Sequence, residues 1–108
     1  MPPAVTGRSL EVGDRFRAGE SVAQLQQRYD VQRYRILYHL DNFVQAGQSL
    51  PVTRLQAEST LTVEQQRQIF GHFAELGAER LRPIFAAMAE QVSYDELHLL
   101  RAVYQLMK

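Results

Sequence analysis

Gln32, Arg33, Tyr34, Arg35 and Tyr38 fall within two turns of one helix-forming stretch, and their side chains carry the chemistry of nucleic-acid contact. Guanidinium groups bond phosphate oxygens and the acceptor edge of guanine, and a glutamine amide bonds base edges or phosphates. Tyrosine offers a ring that stacks on an unpaired base and a hydroxyl that bonds phosphate. With Ile36 and Leu40 turned toward a core, the start of this helix presents Gln32, Arg33, Tyr34, Leu37 and Tyr38. Arg33 is the leading contact candidate, with Gln32 beside it, while Arg35 and Arg28 suit backbone phosphates. Ser21 and Gln24 open the preceding helix, where a helix N-terminus can face a phosphate. The same face also suits a solvated surface or a protein partner, and the residues alone leave both readings open.

Charge sets a limit on the first reading. The 108 residues carry 12 Lys and Arg against 12 Asp and Glu, a formal net charge of zero. Affinity for nucleic acid grows with each phosphate that a cation neutralises. Residues 1–57 hold seven arginines and five acids, whereas residues 58–108 hold five cations and seven acids. An anionic partner is therefore expected on the first half, and weakly bound.

Other chemistries find little support. His39, His72 and His98 sit in three different helical stretches and form no ligand pair at helical spacing, so no metal site is expected. There is no cysteine, hence no disulfide framework and no thiolate zinc site. Asp95 and Glu96 are adjacent carboxylates, but Glu96 reads as part of a capping box opened by Ser93. Glu75 and Glu79 flank Gly77 and read as solvated. With no glycine-rich phosphate loop and no local Ser-His-Asp signature, no catalytic residue and no cofactor are expected, and the chain reads as a non-enzyme.

The elements that position these groups follow from apolar spacing and caps. At 45% hydrophobic and 22% charged residues, the composition is that of a globular domain. No apolar run approaches the roughly 20 residues of a membrane-spanning helix. The N-terminus lacks the charged start and apolar core of a signal peptide, and a cytoplasmic location fits. Residues 1–8 read as a flexible leader, followed by one helical domain over 9–108 whose halves are 9–47 and 62–108. Helices are expected at Ser9–Ala18 with Ser9 as N-cap, Val22–Tyr29 capped by Ser21, and Arg33–Ala46 with Ile36, Leu40, Phe43 and Val44 inward. Asp30 lies in the three-residue break, where motifs of this geometry favour glycine and a left-handed conformation. Gln26 lies where a small residue usually lets two helices approach. Leu50-Pro51-Val52 is extended, either a short winged element or a linker with one helical turn near Thr53–Ala57. Thr62 and Gln65 form a capping box for Val63–Leu76, a fifth helix starts near Glu79 with Pro83 in its first turn, and a sixth runs from Ser93 to Met107. No alternating strand pattern occurs, so the fold class is all-α with about six helices.

The stretch SVAQLQQRYDVQRYRILYHLDNFVQAGQSL resembles the helix-turn-helix domain at the C-termini of bacterial RecQ-type ATP-dependent DNA helicases. The matching positions are Ser21-Val22, Leu25, Val31, Ile36, His39-Leu40 and Gly47. ERLRPIFAAMAEQVSYDELHLLRAV is similar to that family's second half through Leu81, Pro83, Ile84, Ser93, Tyr94, Glu96, Leu97, Leu100, Arg101 and Ala102. The resemblance implies an accessory DNA- or protein-binding module acting in DNA repair or recombination, with no motor, since no Walker A loop is present. Its implied partners are DNA of unspecified form, a helicase motor domain, or a second copy of the chain, with no membrane. It also implies that His39 buttresses the turn between the second and third helices. Phe70, Phe73, Phe85, Leu97, Leu100 and Tyr104 build either a core or a docking helix pair, and Arg101 is expected at the surface unless it pairs with Asp95 or Glu96.

Overall fold

The computed structural model describes residues 7–108. Seven helices follow one another among the described residues: α1 Gly7–Arg17, α2 Val22–Tyr29, α3 Arg33–Gln45, α4 Val52–Ala57, α5 Val63–Leu76, α6 Arg82–Ala87 and α7 Tyr94–Met107. There is no strand among them, so the all-α expectation holds and the winged alternative at 50–52 does not. Pro51 instead caps α4, and Leu50 is buried in the core. Among the described residues no helix is long and apolar enough to cross a membrane.

Local chemistry explains most boundaries. The Ser21 hydroxyl accepts from Gln24 N–H at 3.1 Å and the Gln24 side chain accepts from Ser21 N–H at 2.8 Å, a complete capping box on α2. Thr62 and Gln65 repeat it on α5, as expected. Asp30 ends α2 at φ 53°, the left-handed position anticipated for it. Two starts differ from expectation. Ser9 is no N-cap: α1 already includes Gly7 and Arg8, and Ser9 is buried within it. The α6 helix begins at Arg82 rather than near Glu79, which keeps Pro83 in the first turn, where its missing N–H costs nothing.

Two apolar clusters hold the helices together, and α7 is the wall between them. Its Leu99, Ala102 and Val103 face a cluster with Val12, Phe16, Leu25, Ile36, Leu40 and Phe43. Its Leu97 and Leu100 face a second cluster with Ile69, Phe73, Leu81 and Ile84. Phe70, Phe85 and Tyr104 pack against that second cluster, to which Phe73 belongs, so these four aromatic residues of the second half build core. The α1–α3 crossing depends on Gly13, where an added Cβ would overlap the Phe43 ring. This close approach sets how α3 lies across α1.

Candidate nucleic-acid interface

The α2–turn–α3 unit exposes six of the expected residues, Gln24 and Arg28 on α2 and four more at and along α3. Gln32, Tyr34, Arg35 and Tyr38 are all exposed, with Tyr34 at 53% and Tyr38 at 39%. Their spacing puts the two tyrosines one turn apart on the outward face of α3. The Arg35 guanidinium lies 5.6 Å from the Tyr34 ring centre. Tyr38 stands near-perpendicular to His39 and His98, with ring centres 5.7 and 5.5 Å away, so two imidazoles fix its orientation. Leu37, expected on this face, is instead fully buried, because it sits on the side of α3 that meets the core.

Of the expected contacts, Arg33, Ser21, Gln24 and Arg28 are bonded to groups of the protein itself. Arg33 turns back from the outward face. Its Nη1 donates to Glu96 Oε2 at 2.6 Å and Asp95 Oδ2 at 3.3 Å, and its Nη2 donates to the Glu58 carbonyl at 2.5 Å. Glu96 is 2% exposed and also accepts from the Ser59 hydroxyl at 2.7 Å and Thr60 N–H at 3.0 Å. The expected capping box at Ser93 is therefore absent, since the Glu96 carboxylate points into this hub and Ser93 makes no side-chain cap bond. A buried carboxylate has to be paired, and Arg33 is the cation that pairs it. Ser21 and Gln24 satisfy each other, and Val22 N–H donates to Glu58 Oε2 at 3.2 Å, so a carboxylate already occupies the α2 N-terminus. Arg28 forks onto Glu20 through bonds of 3.0 and 2.9 Å.

A second hub pins the middle of α3 to α7. Asp41 is fully buried and accepts from Arg101 Nη2 at 2.6 Å, Arg101 Nε at 3.0 Å, His98 Nδ1–H at 2.7 Å and Gln45 Nε2 at 3.1 Å. Arg101 is thus no free surface residue, and its partner is Asp41 rather than Asp95 or Glu96; its Nη1 also donates to the Ala78 and Glu79 carbonyls. The sequence did hold a signal for this hub, an aspartate between Leu40 and Phe43 in the buried stripe of α3.

His39 reaches a different neighbour from the one the resemblance implies. Its Nδ1 lies 2.7 Å from the Ser9 hydroxyl, so it ties α3 to α1 rather than bracing the turn. Burial chiefly, with repulsion from Arg35 and then Arg8, lowers its pKa and keeps the ring neutral at pH 7. Two guanidinium groups therefore stand near one imidazole. Arg8 was read as leader, yet its place in α1 puts it over the Tyr29 ring at 4.5 Å, beside the α3 face.

Arg8 and Arg35 stand out among the cations of the first half. Arg15, Arg17, Arg28 and Arg33 all have carboxylate partners, and Arg54 donates to the Phe16 and Glu20 carbonyls. Among the described residues neither Arg8 nor Arg35 forms an ion pair. The outward face therefore combines two aromatic rings, two uncommitted guanidinium groups and the exposed amide of Gln32. No group of three His, Asp or Glu side chains converges to hold a metal ion among the described residues.

No curated protein and no solved structure matches the chain at a significant level. A family model described as a helix-turn-helix domain does match, over residues 10–101, from the first turn of α1 to the Arg101 hub. In general terms such a domain points to a nucleic-acid-binding module. The matched span takes in both halves and both polar hubs, and the chain belongs to this helix-turn-helix domain family.

Proposed function

We propose that this chain is a non-catalytic DNA-binding module and that it acts as an accessory to a RecQ-like DNA helicase in DNA repair or recombination. The observation carrying the DNA reading is the α3 face, where Arg35 lies by the exposed Tyr34, Tyr38 is exposed one turn on, and Arg8 stands within electrostatic reach of His39; neither arginine forms an ion pair among the described residues. The helicase reading rests on the paired resemblance of residues 21–50 and 79–103. Two cations predict modest, salt-dependent affinity. Two phosphate contacts correspond to a log–log salt slope of about −1.8 on duplex and about −1.4 on single strands. Fluorescence anisotropy with labelled DNA at low and moderate salt tests this. Arg8→Ala/Arg35→Ala should abolish the salt-sensitive binding, and no binding by the wild type at low salt would sink the DNA reading. For the helicase part, the chain is added to a RecQ-type motor during unwinding of forked DNA; an unchanged rate together with separate elution of the two proteins would count against it.

A second reading, a protein-interaction or dimerisation module without DNA contact, draws on the zero net charge and on how many arginines are paired internally. Salt separates the two, because a mostly apolar protein contact does not weaken steeply as salt rises.

A further inference from the structure

Helix-turn-helix readers of duplex DNA place the N-terminal turn of the second helix against base edges in the major groove. In this protein the entry to that turn is lined by acids. Arg33, in the first position of α3, is bound by Glu96 and Asp95 and by the Glu58 carbonyl. The Glu58 carboxylate lies nearby on the α2 N-terminus, and the exposed Asp30 stands in the turn itself. Negative charge exceeds positive charge at this end, which opposes the approach of two phosphate backbones. Just past that first position the character reverses. Tyr34 and Tyr38 share a face, Tyr38 is held by two imidazoles, and Arg35 and Arg8 supply positive charge. Base stacking on aromatic rings with cations along the backbone is the chemistry of single-strand binding, and it needs no groove.

Resting on the DNA reading above, we propose that the face formed by Tyr34, Tyr38, Arg35 and Arg8 takes single-stranded DNA, with bases stacked on the two tyrosine rings and phosphates beside the two guanidinium groups. The helix-turn-helix then keeps its shape but not the duplex-reading mode of its end. Charge complementarity selects a polyanion, and the paired exposed rings select one whose bases are unstacked.

Anisotropy with one labelled oligonucleotide, presented as a DNA single strand, as the same strand annealed to its complement, and as the RNA of the same sequence, tests the proposal. The DNA single strand should bind roughly tenfold tighter than the duplex. Tyr34→Ala/Tyr38→Ala should lower single-strand affinity roughly tenfold or more, while Tyr34→Phe/Tyr38→Phe keeps it, because stacking uses the ring. Both residues are exposed, and a circular dichroism melt of each variant checks that the fold is intact. Duplex binding equal to or tighter than single-strand binding would overturn the proposal and leave the DNA reading standing, as would a phenylalanine variant as weak as the alanine one. Tighter RNA binding would overturn the choice of DNA. Absence of salt-sensitive binding to every form would overturn the DNA reading itself.

Discussion

Replacing Arg33 with alanine should make the domain easier to unfold while leaving the proposed DNA binding nearly unchanged. The guanidinium donates to Glu96 at 2.6 Å, to Asp95 at 3.3 Å and to the Glu58 carbonyl at 2.5 Å. Its removal leaves the buried Glu96 carboxylate with the Ser59 hydroxyl and Thr60 N–H as donors. Breaking a buried ion pair from one side costs about 3–5 kcal/mol. Water screens part of that here, since the Arg33 side chain is 27% exposed and Asp95 22%. About 3 kcal/mol remains, toward the low end of that range. At about 4–8 °C per kcal/mol for a domain near this size, the melting temperature should fall by roughly 12–24 °C. A thermal melt by circular dichroism reads the loss, and DNA anisotropy well below the melt reads the affinity. Arg35→Ala should do the reverse, weakening DNA binding with a shift in stability within about 0.5 kcal/mol. The double variant Arg33→Met/Glu96→Leu should recover most of the stability, because the uncompensated carboxylate is gone. If Arg33→Ala melted like the wild type and lost DNA binding, the assignment of Arg33 as an internal tie would be refuted.

Three further outcomes follow from the packing. Arg101→Leu leaves the fully buried Asp41 with His98 and Gln45 alone, and should cost about 3–5 kcal/mol in urea unfolding; a loss below about 1 kcal/mol would show that the hub contributes little. Gly13→Ala drives a methyl group into Phe43 and should cost about 1–3 kcal/mol, whereas Gly71→Ala, where nothing lies within 4 Å of the new Cβ, should be neutral or slightly stabilising. His39 has a lowered pKa in the fold, so the unfolded chain binds its proton first as pH drops; stability from this residue is full above the ordinary value of about 6.5 and is lost as pH falls through that value toward the folded one. His39→Gln should flatten that part of the melting-temperature profile, and an unchanged slope would remove His39 as its source.

The helices were legible because their signals are local. The boundaries of α2 and α5 follow from Ser21, Thr62, Asp30 and Gly77, each acting on its own chain within four residues. Asp41 in the buried stripe of α3 signalled a polar hub, but the partners in both hubs were not legible, because they lie about sixty positions apart: Arg33 meets Asp95 and Glu96, and Asp41 meets His98 and Arg101. Local reasoning gave Glu96 to a capping box and Arg33 to solvent, and the long-range pairing overrode both. Charged groups on a helix face look alike in sequence whether water or another helix covers them. The outward placement of Tyr34, Arg35 and Tyr38 was legible, since it needed only helical spacing. Arg8 was missed because α1 begins before the first capping residue the sequence offers.

The position of α7 as the wall between two cores has a consequence for the order in which the protein assembles. The first cluster takes Leu99, Ala102 and Val103 from α7, and Arg33 finds its carboxylates at the start of the same helix. During synthesis, α1 to α3 leave the ribosome some fifty residues before those partners exist as chain. Until α7 emerges, α1 and α2 cover only part of the inward side of α3 and Arg33 lacks Asp95 and Glu96, so the nascent helix-turn-helix is short of the contacts that α7 supplies. Closure of both clusters depends on the same late helix, which makes the proposed binding face a product of the finished domain rather than of its first forty residues.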